Sequence, residues 1–292
     1  MRSSLLVAYK NGLQKLLDTG LIPRFRFLRS LNRFIVSRLT LNRAEIMGHI
    51  MYLDPVDSLH ITKNNGVYEP LETGVVQANV KKGDVAVDAG ANIGYYTLLL
   101  ARLVGPEGRV IAIEPDPDNF ALLKKNVEAN GYRNVELHQK AVSDAAGTVK
   151  LYRSMRSTAQ HSLAASSQDD PYVEVEMARI DDLVKQPIDF MKIDVEGAEL
   201  GAMRGARELF AKSPNVKIMT EFNPRALNDF GVRTEEYLSL LSDYGFRFSN
   251  IDKKQSSVHP ASTREIMDAC NLGNGFYTNL LCERGEWSVV SG

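Results

Sequence analysis

From about residue 66 to residue 282 the chain alternates short apolar runs with amphipathic runs of helical length, and this rhythm limits the fold more than any other feature. Residues 85–88, 109–114, 135–138, 188–194, 216–222, 246–250 and 276–282 read as strands. Residues 93–104, 118–130, 196–210 and 234–244 read as the helices between them, the last two helix ends falling at Phe210 and at Tyr244 before Gly245. Strands joined through helices run parallel and need cover on both faces of their sheet. The expected fold class is therefore α/β, a doubly wound, mainly parallel, seven-stranded sheet of the Rossmann-like kind.

Length adds an extension to that domain. With 292 residues, there is room for one large domain and an arm. Net charge is −1, yet residues 1–43 carry nine Lys or Arg and one acid, Asp18, so the arm stands at +8 and the remainder at −9. Within the arm, Phe27, Leu28, Leu31, Phe34, Ile35 and Leu39 share one helical arc and Arg26, Arg29 and Arg33 the opposite one. Such a basic amphipathic helix packs on its own domain or a second subunit, or lies on an anionic membrane surface; packing is the favoured reading. Residues 47–62 read as two short strands around a turn at 54–57. The polar, Ser- and Ala-rich stretch 153–171 reads as a long loop over a cleft, flanked by strand-like runs at 148–152 and 172–177.

No apolar run approaches the roughly 20 residues that span a bilayer, and no secretory leader is recognisable at the start. Two cysteines, Cys270 and Cys282, make neither a disulfide framework nor a metal pair, so a reducing cytoplasm is expected, with peripheral membrane contact through the arm as the alternative. His49, His60, His138, His161 and His259 share no metal-ligand spacing; His161, in the polar loop, is the one placed to reach a substrate.

Chemistry is concentrated after the strands. Residues 87–97, VDAGANIGYYT, carry the chain from a strand through Gly90, Asn92 and Gly94 into a helix that includes Thr97. Glycines allow close backbone approach to a ligand, and the helix start favours negative groups. The pattern is not G-x-G-x-x-G, and Asp88 just before the loop would repel a pyrophosphate but accept a bond from an amino acid's ammonium. Glu114 ends the next strand, where an acid accepts hydrogen bonds from both hydroxyls of a ribose. Ser143 and Asp144, in Ala-Val-Ser-Asp at 141–144, follow the third strand, where Asp144 can accept from an adenine amino group or simply make a turn.

These residues, with Gly66-Val-Tyr-Glu-Pro70, Ile-Glu-Pro at 113–115 and Lys-Ile-Asp-Val-Glu-Gly-Ala-Glu at 192–199, resemble the FkbM-type S-adenosylmethionine-dependent methyltransferases over roughly residues 47–250. The resemblance implies a class I methyltransferase fold, S-adenosylmethionine as cofactor, and hydroxyl oxygens of small molecules, sugars or lipid-linked glycans as acceptors. It divides the chain into a helical arm at 1–43, a hairpin and helix packing on the core at 44–80, and the catalytic domain at 81–292. The cofactor set it implies is Glu69, Asp88, Gly90, Asn92, Gly94, Thr97, Glu114, Ser143, Asp144 and Asp194. Asp194, at the end of the fourth strand, is the first candidate for base or orienter, with Glu196, Glu221 and His161 behind it.

For Glu196 and Glu199 the plainer reading is a preference of acids for the first turn of a helix. Asp194, Glu221 and Asn223 end adjacent strands and could together offer oxygens to Mg²⁺, a weaker reading than a metal-free site. Tyr95, Tyr96 and Trp287 are expected to pack rather than stack on a ligand. Nucleic acid is disfavoured as acceptor: the fourth strand ends in Lys-Ile-Asp-Val-Glu-Gly and not in the Asn-Pro-Pro-aromatic run of base-amine methylation, and the body of the chain is acidic. A SAM-binding scaffold without activity is the remaining alternative, and intact cofactor motifs weigh against it.

Overall fold

In a computed structural model, residues 43–54, 67–152, 163, 171–271 and 277–284 are described. The basic arm up to residue 42, most of the polar loop with His161, and Trp287 lie outside these residues. The chain divides into two compact units, Met1–Tyr68 and Glu69–Gly292.

In the first unit, β1 (Arg43–Ile46) and β2 (His49–Tyr52) form an antiparallel hairpin with Ile46 opposite His49. Met47 and Gly48 make the turn, both at positive φ (50° and 77°), the backbone twist that two-residue hairpins require. The turn expected at 54–57 lies, apart from Asp54, outside the described residues.

The second unit opens with α1 (Pro70–Asn79). Then follow β3 (Val85–Ala89), α2 (Tyr95–Val104), β4 (Arg109–Ile113), α3 (Pro117–Ala129) and β5 (Val135–His138). Strands β6 (Ala141–Val142), β7 (Gly147–Tyr152) and β8 (Tyr172–Ala178) come next, then α4 (Ile180–Leu183), β9 (Phe190–Ile193), α5 (Glu199–Arg204) and α6 (Arg207–Lys212). The chain continues through β10 (Lys217–Phe222), α7 (Pro224–Asp229), α8 (Thr234–Asp243), β11 (Arg247–Asp252), β12 (Ser257–Ala261), α9 (Thr263–Asn271) and β13 (Thr278–Glu283).

The central sheet has the order β12-β11-β13-β10-β9-β3-β4-β5. Its five strands from β5 to β10 are parallel; β13, β11 and β12 join antiparallel. The expected α/β class holds, with one strand more than the seven read from sequence. The eighth, β12, alternates exposed and half-buried residues along its length and contains Pro260. It lies at the sheet edge, where a proline costs no ladder bond, so the apolar signal of a core strand is missing.

Residues in β3, β4 and β9 are buried on both faces, as a parallel sheet under two layers demands. Val87, Ala89, Ile111, Ile113, Met191 and Ile193 point into one apolar cluster that includes Leu200, Met203 and Phe210. By the two-residue period of a strand, Asp88 and Lys192 therefore belong to the opposite face.

Two strand-like runs read beside the polar loop, β7 and β8, pair antiparallel and with β6 make a separate three-stranded sheet. The single helix expected over 196–210 is instead α5 and α6, broken at Gly205-Ala206. A Cβ on Gly205 would lie 2.0 Å from the Ser143 carbonyl oxygen. The helix surface must come that close to the loop after β6, and only glycine permits it there.

Candidate active site

The parallel strands β3, β4 and β9 end together, and most of the expected residues sit at those ends. Gly90, just past β3, has φ 79°, and a Cβ there would fall 1.8 Å from the backbone oxygen of Asp194. The turn after β3 is thus pressed against the end of β9. Its backbone is tied further by Gly90 and Ala91 N–H groups donating to the Ile113 carbonyl and by Asp194 N–H donating to the Ala89 carbonyl. Asn92 is left-handed (φ 49°), and its Oδ1 accepts from the Ile93 N–H at 2.6 Å. Gly94 caps α2 at φ 98°, where a Cβ would crowd Leu123 at 2.7 Å.

Asp88 is fully buried. One carboxylate oxygen, Oδ2, accepts the Thr97 hydroxyl proton at 2.6 Å, while Oδ1 is buried without a partner. Burial raises its pKa, opposed by the nearby Lys192 charge and the Thr97 bond. Thr97 therefore reaches the site through Asp88. Glu114, also buried, accepts from the Asn92 N–H through Oε2 at 2.8 Å and from the Asp116 N–H through Oε1 at 2.9 Å. The Asn119 side chain bonds to it as well, so of the roughly four lone-pair positions of the carboxylate one is left for a ligand.

Past β9, Asp194 pairs with Lys192 at 3.2 Å, and the backbone then turns through Glu196 (φ 53°) and Gly197 (φ 103°) before α5. Glu196 lies ahead of the helix in a strained conformation, which removes the plain first-turn reading for it. That reading fits Glu199, whose Oε1 accepts from the N–H groups of Val195 and Gly197. Glu221, near the end of β10, has a buried Oε2 with no partner. Glu69, at φ 44°, caps α1; its carboxylate accepts from the Tyr96 hydroxyl at 3.0 Å and pairs with Lys253 at 2.9 Å. Of five left-handed non-glycine residues described, three (Glu69, Asn92 and Glu196) thus sit among the expected site residues, which is where backbone strain tends to be stored.

Ser143 and Asp144 follow the second sheet. Ser143 donates its N–H to the Ala178 carbonyl; both residues lie over Gly201, and Ser143 also over Gly205. The tyrosines pack as expected: Tyr95 and Tyr96 meet edge to face at 5.2 Å.

No group of three or more His, Cys, Asp or Glu side chains is arranged to hold a metal ion among the described residues. Asn223, read as a third oxygen for Mg²⁺, has its Oδ1 committed to capping α7 through the Ala226 N–H at 3.2 Å.

Sequence reasoning missed Lys192 and Lys253. Lys253 bridges Glu69 and Glu72, and Asn279 also donates to Glu72, so α1 is tied to β11 and β13. The signal for Lys192 was present in Phe190-Met-Lys-Ile193: a lysine within an apolar buried strand must find a counter-charge.

Burial makes this edge pH-sensitive. It pushes Glu114 and Glu199 up to about 7, each against backbone N–H bonds, and Glu196 up to about 8, helped by Asp194 and Glu199. Glu221 is raised well above its ordinary value, again by burial first and then by Asp194, Glu196 and Glu199. Each group binds its proton more tightly folded than unfolded. Its stabilising contribution is complete below the ordinary value of 4.5 and is lost as pH rises through 7 to 8. The cofactor-free protein should melt at a lower temperature at about pH 8.5 than at about pH 6. Equal melting temperatures would show that these carboxyls do not control stability.

Residues 88–248 match the family model described as the methyltransferase FkbM domain. The chain belongs to the FkbM methyltransferase family. The family is one of methyltransferases. Within the FkbM match lie Asp88, Glu114, Asp194, Glu196 and Glu221; Glu69 and Lys253 fall on either side of it.

The chain is 32% identical over 142 residues to Methyltransferase 1 of Beauveria bassiana, a match covering 41% of this chain and 57% of that relative. It thus spans little more than half the length of that protein. It is 26% identical over 200 residues to the 31-O-demethyl-FK506 methyltransferase FkbM of Streptomyces tacrolimicus, covering 57% of this chain and 74% of the relative. The crystal structure of methyltransferase FkbM from Methylobacillus flagellatus superposes with a TM-score of 0.43 at 20% identity, over 70% of this chain and 44% of that one. Among the described residues no helix is long and apolar enough to cross a membrane.

Proposed function

We propose that this chain methylates a hydroxyl oxygen of a small molecule, sugar or lipid-linked glycan, at the carboxyl ends of β3, β4 and β9. The observation that carries the reading is a pair of buried carboxylate oxygens without partners, Asp88 Oδ1 and Glu221 Oε2, on strands flanking β9. A buried unsatisfied oxygen is costly and is kept where a ligand completes it. The relative from Streptomyces, by its name, methylates an oxygen, which supports the acceptor class.

The donor fits the residues present. Asp88 Oδ1 is free to accept from its ammonium, and Glu114, bonded by Asn92, Asp116 and Asn119, keeps a lone-pair position for a ribose hydroxyl. Gly90, Asn92 and Gly94 shape the backbone between them, Thr97 steadies Asp88, and Glu69 closes the side toward α1. Ser143 and Asp144 are assigned to the adenine side. Bound here, S-adenosylmethionine supplies an electrophilic methyl group. The chain's own task is then to align the acceptor oxygen and take its proton, and positioning contributes much of the rate. Asp194 receives that proton or orients the hydroxyl, with Glu196 and Glu221 as the nearby carboxyls able to share it.

Replacing Glu114 tests the cofactor assignment. Glu114→Ala should weaken S-adenosylmethionine binding at least tenfold, about 1.4 kcal/mol, by calorimetric titration. Unchanged affinity would remove Glu114 from the ribose site.

A further inference from the structure

The chemistry above leaves one buried charge without a task. Lys192 lies in β9 with only 6% of its surface exposed, on the sheet face covered by α2. Parallel pairing sets it directly beside Asp88 on β3. Its ammonium donates to Asp194 Oδ2 at 3.2 Å and to the Gly90 carbonyl at 3.4 Å, and it stands 5.2 Å from the centre of the Tyr96 ring. These contacts hold the cation in place, so that it acts on Asp88 through space and leaves Asp88 Oδ1 open.

We propose that Lys192 is a positioning residue of the cofactor site, the fixed cation that keeps the Asp88 carboxylate charged so that it can receive the ammonium of S-adenosylmethionine. The inference rests on the reading of Asp88 as the ammonium acceptor.

A fully buried carboxylate bonded only by the neutral hydroxyl and backbone of Thr97 would take up a proton to escape the cost of burial. A neutral acid has lost the charge-assisted bond that an ammonium seeks. The largest opposing influence at Asp88 is the Lys192 charge, with the Thr97 bonds behind it. Among the described residues no neighbour on another element replaces it. Facing Lys192 are Asp194 and Glu196 after β9, Glu221 on β10, Glu69 before α1 and Tyr96 on α2. Four of these five are acids, which hinder the ionisation of Asp88. The other cation nearby, Lys253, is occupied by Glu69 and Glu72.

The experiment is titration of the full chain with S-adenosylmethionine between about pH 5.5 and pH 8.5, for wild type, Lys192→Arg, Lys192→Gln and Asp88→Asn. Glutamine can still donate to Gly90 and Asp194 but carries no charge. Wild type and Lys192→Arg should bind with affinities flat within about threefold across the range. Lys192→Gln should lose about tenfold in affinity per pH unit toward acid, the slope of one linked proton. Asp88→Asn should bind weakly with no slope. If Asp88→Asn binds as wild type does, the site reading itself fails. If Asp88→Asn is weak while Lys192→Gln follows wild type at every pH, the lysine only packs and the proposal is overturned. Should Lys192→Gln not fold, the carboxyl ¹³C resonance of Asp88 in wild type, assigned by its loss in Asp88→Asn, decides alone. A charged Asp88 at pH 7 supports the proposal, and a protonated one there overturns it.

Discussion

Asp194→Asn should lower methyl transfer at least a hundredfold while leaving affinity for S-adenosylmethionine within a few-fold of wild type. The side chain stands where β9 opens between the turn after β3 and the end of β10, and it is partly exposed, so an acceptor can reach it. Asparagine keeps the shape and one acceptor oxygen but takes no proton. Loss of a general base costs about 10²–10⁴ in rate. Cofactor affinity is spared because the groups assigned to the ammonium and ribose, Asp88 and Glu114, keep their own hydrogen bonds to Thr97, Asn92 and Asp116. Screening hydroxylated sugars and lipid-linked glycans supplies the acceptor for a single-turnover assay. Full activity in the variant would sink Asp194 as the proton acceptor and move that role to Glu196 or Glu221.

Gly90→Ala should destabilise the protein by about 3 kcal/mol or more and abolish cofactor binding in whatever remains folded. Two penalties combine at this residue. The backbone is left-handed, at φ 79°, which costs a residue with a Cβ about 1–2 kcal/mol. The added methyl would also stand 1.8 Å from the Asp194 carbonyl oxygen, and backbone cannot rotate away as a side chain could. Relief requires the turn after β3 to lift off β9, which separates Asp88 and Asn92 from the groups they work with. Gly83→Ala provides the control. Gly83 is also left-handed, at φ 88°, but a Cβ there meets nothing within 4 Å. Denaturant melts should show the Gly83 variant losing only the conformational part. Equal losses in the two variants would mean that the close approach to β9 contributes nothing.

The sequence by itself determined the layered α/β class and most strand positions, because each depends on local periodicity: apolar runs of four to seven residues for strands, amphipathic runs for helices. It also marked the places where the backbone must do something unusual. Gly90, Asn92 and Gly94 announce a turn that needs left-handed conformations, and Asp88, Glu114 and Asp194 announce themselves as acids at the ends of buried strands. Local signals failed where structure was not set locally. The edge strand β12, with its proline and exposed residues, carries no core pattern, and the hairpin turn at Met47-Gly48 has no apolar run to announce it.

Only the tertiary structure decided which of these residues meet. Asp88 and Lys192 are 104 positions apart, and they become neighbours because β9 pairs with β3 in one register; a slip of one residue would send Lys192 to the opposite face. Glu114 holds the Asn92 N–H because β4 lies on the other side of β3. Glu221 joins Asp194 and Glu196 because β10 pairs next to β9, and the break at Gly205 exists because the loop after β6 presses on the helix there. Strand order and register follow from the balance of packing over the whole sheet, a sum of many contacts between distant segments. For that reason the acids of the site could be named one by one from the sequence, while their pairing and burial belong to the fold.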